Sequence, residues 1–377
     1  MSRLSAAAVK LLRAATSANT FIAVSLSIFS ASPICEQKSY LFKLSNKEGH
    51  FTAFIGRIKK IIVCPSFSQT GFRLVTRLYE EQTMNTSIPS TRKIVITGAS
   101  GRLGSLVAKA LIARAGDADQ LTFSARAPEK IAALAAPGNE IVKADFDQPE
   151  TLLIAFNGAD TVLIISGDAP VDVRIRQHRN AIDAARKAGV KRVVYTSFVN
   201  PTAESQFTFA RIHEDTEQYL KESGLQYSIL RNNQYVANLS SGLAHSKETN
   251  QLAQPGAAGK VAFITHEDIA EAIAAVLLES GHEGRTYELT GPEALSLYDV
   301  ADILSEARGA QVTVIEAEPA GFGEILQSVG LPPFMVEALL GIFAATKQNE
   351  YAAVSGDIER ILGRKPQSVR DYIKSFA

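Results

Sequence analysis

From Lys93 onward, short apolar runs alternate with longer segments whose apolar positions recur every three or four residues. The runs predict strands at Lys93–Thr97, Leu121–Ser124, Glu140–Ala144, Thr161–Ile165, Arg192–Thr196 and Tyr227–Leu230. The periodic segments between them predict helices at Arg102–Ala115, Pro128–Ala135, Pro149–Phe156, Val171–Ala188 and Phe207–Ser223. Strand and helix in strict alternation mean an α/β fold, a doubly wound parallel sheet with helices on both faces. Val162-Leu163-Ile164-Ile165 and Val193-Val194 are apolar without a break, as strands covered on both sides should be. Beyond Asn232 the pattern loosens into Asn, Ser, Gly and Gln. A loop is expected at Leu252–Gly259, then a strand at Lys260–Ile264, a helix at Glu267–Glu279, a strand at Arg285–Leu289, a helix at Leu297–Ala307 and a strand at Gln311–Glu316. These read as a smaller α/β C-terminal lobe that binds substrate over the carboxyl ends of the strands. The expected division is an extension over 1–88 without packed structure, a Rossmann domain over 89–235, and a substrate lobe over 236–377 interleaved with it.

Composition changes this picture mainly at the N-terminus. The chain has 377 residues, 46% of them hydrophobic, enough for a substantial core. Its net charge of zero hides an asymmetry: residues 1–83 carry 11 Lys and Arg against Glu36, Glu48, Glu80 and Glu81, and acids predominate in the remainder. No acid precedes Glu36, while Arg3, Lys10 and Arg13 sit among Ser and Ala, which suits an organellar transit peptide. Phe21–Phe29 suits a short signal-peptide core, but a bilayer span needs about 20 apolar residues and none is present. The equal alternative is a non-native upstream extension ending before Met84. Localisation is accordingly expected to be cytoplasmic, or mitochondrial if residues 1–83 are a genuine transit peptide. Both cysteines, Cys35 and Cys64, lie in this segment, and the histidines show no ligand spacing, so no metal site is expected. The acidic balance of residues 84–377 argues against direct nucleic-acid contact.

The chemistry begins at Thr97-Gly98-Ala99-Ser100-Gly101-Arg102-Leu103-Gly104, placed between the first strand and the first helix. Gly98 permits the turn out of the strand, Gly101 allows the backbone close to a pyrophosphate, and Gly104 lets the helix pack closely. The helix N-terminus then offers N–H groups and partial positive charge to phosphates. The second strand ends Ser124-Ala125-Arg126, where an NAD-binding protein usually has an acid. Arg126 instead favours a 2′-phosphate. Asp145-Phe146-Asp147, after the third strand, could contact the adenine side or cap the following helix.

Ile96-Thr97-Gly98-Ala99-Ser100-Gly101-Arg102-Leu103-Gly104, Gln177-His178-Arg179-Asn180, Ala184-Ala185, Ala188-Gly189-Val190, Tyr195-Thr196-Ser197 and Leu230-Arg231-Asn232 together resemble the NmrA-like group of atypical short-chain dehydrogenases/reductases. Within it, the type-2 NAD(P)H:quinone oxidoreductases and triphenylmethane-dye reductases are most similar. The resemblance runs from about Lys93 to the C-terminus, strong up to Tyr235 and thin beyond. It implies NADPH, rather than NADH, held by Ser100, the glycine loop and Arg126, with Ser166, Gly167, Thr196 and Ser197 lining the nicotinamide side.

Mainstream members of the wider family use Tyr-x-x-x-Lys, whose lysine lowers the tyrosine pKa for proton exchange with a carbonyl. Here Tyr195 is followed by Val199, Tyr219 by Ser223 and Tyr227 by Arg231. An ordinary alcohol–ketone interconversion is disfavoured, because an alkoxide formed without a donor is too basic. A quinone or cationic dye gives a stabilised phenolate or a neutral product, so the expected reaction is hydride transfer from NADPH to a small aromatic acceptor. Phe198, Asn232, Asn233 and Tyr235 are placed to stack on or bond to such an acceptor. His213 is the one proton-donor candidate, with a structural role favoured for it, and His178 reads as a packing residue. The rival reading is a non-catalytic dinucleotide sensor acting through a protein partner; a sugar-nucleotide epimerase or dehydratase is weakened by the same missing pair. A homodimer is left open.

Overall fold

The computed structural model describes residues 92–116, 119–134 and 139–374, with the backbone alone of five short antiparallel strands between Val9 and Val63 in a separate unit. The targeting-like or non-native character of residues 1–88 lies outside the described residues.

The elements of the main unit are β1 (Arg92–Ile96), α1 (Arg102–Arg114), β2 (Asp119–Ala125), β3 (Glu140–Lys143), α2 (Pro149–Phe156), β4 (Thr161–Ile164), α3 (Val171–Lys187), β5 (Arg192–Phe198), α4 (Ala210–Glu222) and β6 (Gln226–Asn232). They continue with α5 (Ser240–Thr249), β7 (Gln251–Gln254), α6 (His266–Leu278), β8 (Arg285–Leu289), α7 (Leu297–Arg308), β9 (Thr313–Glu316), α8 (Pro319–Ser328), α9 (Pro333–Lys347), α10 (Asp357–Leu362) and α11 (Val369–Ile373). Seven strands form one sheet in the order β8-β6-β5-β4-β1-β2-β3, all parallel.

Alternate residues of each strand feed opposite cores. Ile94, Ile96, Leu163, Val194 and Leu230 pack under α1 and α6, whereas Val95, Val162, Ile164, Val193, Tyr195 and Ile229 face α2, α3 and α4. The two-sided burial of these strands explains why their sequences do not alternate in polarity. Strand order reverses between β1 and β4, so their carboxyl ends open a crevice, the usual ligand position in such sheets. A third apolar core joins Phe207 and Phe209, just before α4, to Leu243, Val300, Leu304 and Ile342 of the second lobe.

The departures from expectation have local causes. Pro128–Leu134 is a 3-10 turn, not an α-helix, because only Ile131 is buried to hold it. Lys260–Ile264 is no strand: Val261 pairs with Leu295, Ala262 N–H donates to the Tyr351 carbonyl and Ile264 N–H to the Gln234 carbonyl, three partners in place of one ladder. Part of the expected loop at Leu252–Gly259 instead pairs as β7 with β9 in a two-stranded parallel sheet. Helix α5 arises from a Ser-Ser-Gly start of low helical propensity and ends at Asn250 in the left-handed conformation (φ 52).

Candidate active site

The glycine loop leaves β1 through Gly98, whose φ of 65 lies where side chains are disfavoured. Ala99 N–H donates to the Ser124 carbonyl at 3.0 Å, tying the loop to the end of β2. A Cβ on Gly104 would stand 2.2 Å from the Gly98 carbonyl oxygen, so glycine is required there for α1 to meet its own entry loop, not the sheet alone. Gly101 is the N-cap of α1; no side chain caps this terminus and no acid stands in its first turn. Its free N–H groups and dipole therefore favour an anion. Leu103 is buried in the core and can contribute only its backbone, while Ser100 and Arg102 are exposed. Arg126 is exposed just beyond β2 and makes no ion pair or hydrogen bond with the described residues. These features fit a dinucleotide with a 2′-phosphate.

Asp145 and Phe146 are held from several sides. Asp145 Oδ1 accepts from Asp147 N–H, Asp147 pairs with Arg176 and Gln177, and the Phe146 carbonyl accepts from Asn180. The N-cap of α2 is Gln148, so the triplet builds a turn instead of capping the helix.

At the ends of β4 and β5, Ser166 N–H donates to Thr196 Oγ1 at 3.0 Å. Ser166 Oγ in turn meets His178 Nε2 at 3.2 Å and accepts from Arg174 Nε and Nη2 at 3.0 and 2.5 Å. Gly167 has open space where a side chain would stand. Ser197 points away from this group, donating to Glu217 Oε1 on α4 at 2.7 Å. His178 is a hydrogen-bonding hub and not a mere packing residue. It is completely buried, and its Nδ1 meets Thr216 Oγ1 at 2.8 Å and Tyr195 OH at 3.4 Å. Tyr195 OH also meets His213 Nδ1 at 2.8 Å. Burial and, secondarily, the nearby Arg174 charge hold both imidazoles well below the ordinary histidine range. Burial also raises the Tyr195 phenol far above its usual value. The cluster is neutral at neutral pH, with His213 tied into it through Nδ1.

Of the four residues expected to meet the acceptor, Phe198 is half-buried, stacked on His213 (29° between planes) and edge-on to Tyr351. Asn233 has its amide engaged by the Tyr351 carbonyl and by Gln234 N–H, so it braces the loop instead of reaching outward. Its neighbour Asn232 donates to Tyr235 OH at 3.4 Å, and its buried Oδ1 has no partner among the described residues. Tyr235 stacks on His266, centroids 3.9 Å apart, and His266 Nδ1 is likewise buried and unpartnered. Burial, then the neighbouring Arg102 charge, lowers His266 to about 4. An open cavity of about 820 Å³ next to the β5, β6 and β8 ends is lined by Val199, Arg231, Asn233, Glu288 and Tyr351 among others. Sequence reading missed Arg174 and His266. Arg174 had a signal, a charged residue in the apolar row of α3 shared with His178, Ala181 and Ala185. Among the described residues no cluster suits a metal and no helix is long and apolar enough to cross a membrane.

The NmrA-like family model matches residues 90–374. The chain belongs to the NmrA-like family. Quinone oxidoreductase 2 of Escherichia coli is 38% identical over 280 residues, covering 74% of this chain and 97% of that protein. The NAD(P)H azoreductase of Xenophilus azovorans is 28% identical, covering 75% and 98%. Among solved NmrA-like relatives, the Citrobacter triphenylmethane reductase complexed with NADP(H) superposes with a TM-score of 0.70 at 31% identity, covering 76% of this chain and all of that one. The NADPH-dependent quinone oxidoreductase of Escherichia coli complexed with NADPH gives 0.69 at 33%, covering 75% and 99%.

Proposed function

We propose that this chain transfers a hydride from NADPH to a quinone-like or dye-like acceptor without a Tyr/Lys pair. It is an NAD(P)H-dependent oxidoreductase of the quinone-reductase type, and NADP(H) is its cofactor. The observation that carries the finer reading is the uncapped, acid-free start of α1 behind Gly98, Gly101 and Gly104, with the unpartnered Arg126 beside it. When bound, NADPH supplies the hydride. The chain's own residues hold the phosphates at the loop, place Ser166 and Thr196 at the crevice, and keep the Tyr195 cluster neutral. Tyr195 is locked between two neutral histidines and has no lysine to acidify it. It is therefore no proton donor, and water protonates the product.

NADPH oxidation assayed against a panel of quinones and dyes tests this, with Tyr195→Phe, Tyr219→Phe, Tyr227→Phe and Tyr235→Phe alongside. Quinone turnover is expected well above the rate without enzyme, and each variant should stay within about tenfold of it, whereas loss of a general acid commonly removes 10²–10⁴. A thousandfold loss in one variant that still binds NADPH would instead identify a carbonyl reductase with a tyrosine donor. Tight NADPH binding with no turnover on any acceptor would identify a sensor that acts through a partner.

A further inference from the structure

Arg174 lies in the first turn of α3, only 6% exposed, where the second lobe meets the sheet. Beyond its two bonds to Ser166 Oγ, its guanidinium carbon stands 5.0 Å above the Phe209 ring, which itself packs towards Phe334 of α9. Nη1 makes no hydrogen bond among the described residues. One other arginine among the described residues is as deeply buried, and its charge is answered: Arg192 pairs with Glu283 at 3.2 Å and donates to the Val276 and Leu277 carbonyls. Among the described residues Arg174 has no carboxylate at ion-pairing distance; Asp168, the acid whose charge it feels, is exposed to solvent. The surrounding His178, His213, Tyr195 and Tyr235 are neutral groups. A desolvated cation without an anion is unfavourable, and such an arrangement persists where an anion is to be received.

We propose that Arg174 is the oxyanion-binding residue of the reaction, receiving the negative oxygen created on a quinone at the Ser166 end of the crevice. The inference rests on the quinone-reductase reading and concerns neutral acceptors that become anions. In the step, the acceptor takes a hydrogen with its electron pair from the dihydronicotinamide, whose C–H bond breaks as the ring is oxidised. The new bond forms at one end of the quinone, the charge collects on the far oxygen as a phenolate, and water later adds the single proton that completes the hydroquinone. A fixed guanidinium beside that oxygen stabilises charge absent from the starting quinone, so it acts on the rate and not on ground-state binding. A cationic dye loses its charge in the same step and gains nothing from Arg174.

Arg174→Gln and Arg174→Lys separate these roles. In Arg174→Gln, kcat/KM for quinones should fall by about a hundredfold, while cationic dyes stay within about threefold; Arg174→Lys should recover part of the quinone rate. A second readout needs no turnover. A nitrophenol that ionises near neutrality, titrated by its phenolate absorbance on the NADP⁺-loaded protein, should ionise at lower pH when bound to the native chain, partly so in Arg174→Lys, and normally in Arg174→Gln. Equal losses for quinones and dyes, lost NADPH affinity with unchanged quinone kcat, or a nitrophenol that ionises normally on the native protein would each overturn the assignment. Should the native protein oxidise NADPH with no quinone, the broader reading falls, and the nitrophenol titration still decides whether Arg174 binds an oxyanion.

Discussion

Arg126 and Arg174 illustrate opposite uses of one side chain. Arg126 stands in water at the end of β2, where a free guanidinium is unremarkable except for its place beside the Ala99–Ser124 bond that ties the glycine loop to that strand. Its paired charge-assisted hydrogen bonds to a 2′-phosphate should be worth on the order of 1.5–3 kcal/mol. Arg126→Ala should therefore weaken NADPH binding more than about tenfold and leave NADH nearly unchanged, as measured by the fluorescence of the bound reduced cofactor or by calorimetry. Equal losses for both cofactors would remove Arg126 from the site. At this scale the loop was legible in the sequence, because Gly98, Gly101 and Gly104 answer to backbone geometry that only glycine satisfies. Arg174 showed only as a charge in the apolar row of α3, and His266 not at all, because its burial depends on what another element lays over it.

Helices α3 and α4 are joined through polar groups as much as apolar ones. His178 from α3 and Thr216 and His213 from α4 converge on Tyr195 of β5, with Glu217 bound by Ser197 and Arg231 one turn further along. Both histidines are held neutral when folded, yet in the unfolded chain each takes up a proton near pH 6.5. Their contribution is whole above that pH and shrinks as pH falls, by up to about 1.4 kcal/mol per pH unit for each. Denaturant unfolding followed from about pH 7.5 down to about pH 5.5 should show this slope, and His178→Asn should remove its share. A slope unchanged by that substitution would mean that other groups carry it. Most of the first half was readable because short apolar runs alternate with strongly periodic helices, the exception being Pro128–Leu134, with Ile131 alone buried. In the second half α6, β8, α7 and β9 lie where their patterns put them, whereas Lys260–Ile264 takes its partners from three separate segments and β7 exists only through β9, which no local pattern reveals.

At the scale of the whole molecule, every residue assigned to the cofactor or acceptor comes from Arg92 onward. A chain beginning at Met84 should therefore fold and bind NADPH like the full one, and limited proteolysis of the full chain should stop near that point; failure of the shortened chain alone to bind would show that the upstream segment takes part. The division at 235 is a different matter. The sheet face carrying Ile94, Leu163, Val194 and Leu230 is roofed jointly by α1 and α6, although some 150 residues separate those helices in the chain, and β8 closes the sheet edge later still. During synthesis the phosphate-binding loop is thus made early but stays beside a bare apolar surface until α6 has left the ribosome, a window in which chaperone protection matters most. The same dependence ties the halves together in descent: an insertion between β6 and α6 is tolerated so long as α6 still reaches its roof, whereas no exchange of the acceptor lobe for another can succeed unless it brings a helix to replace α6.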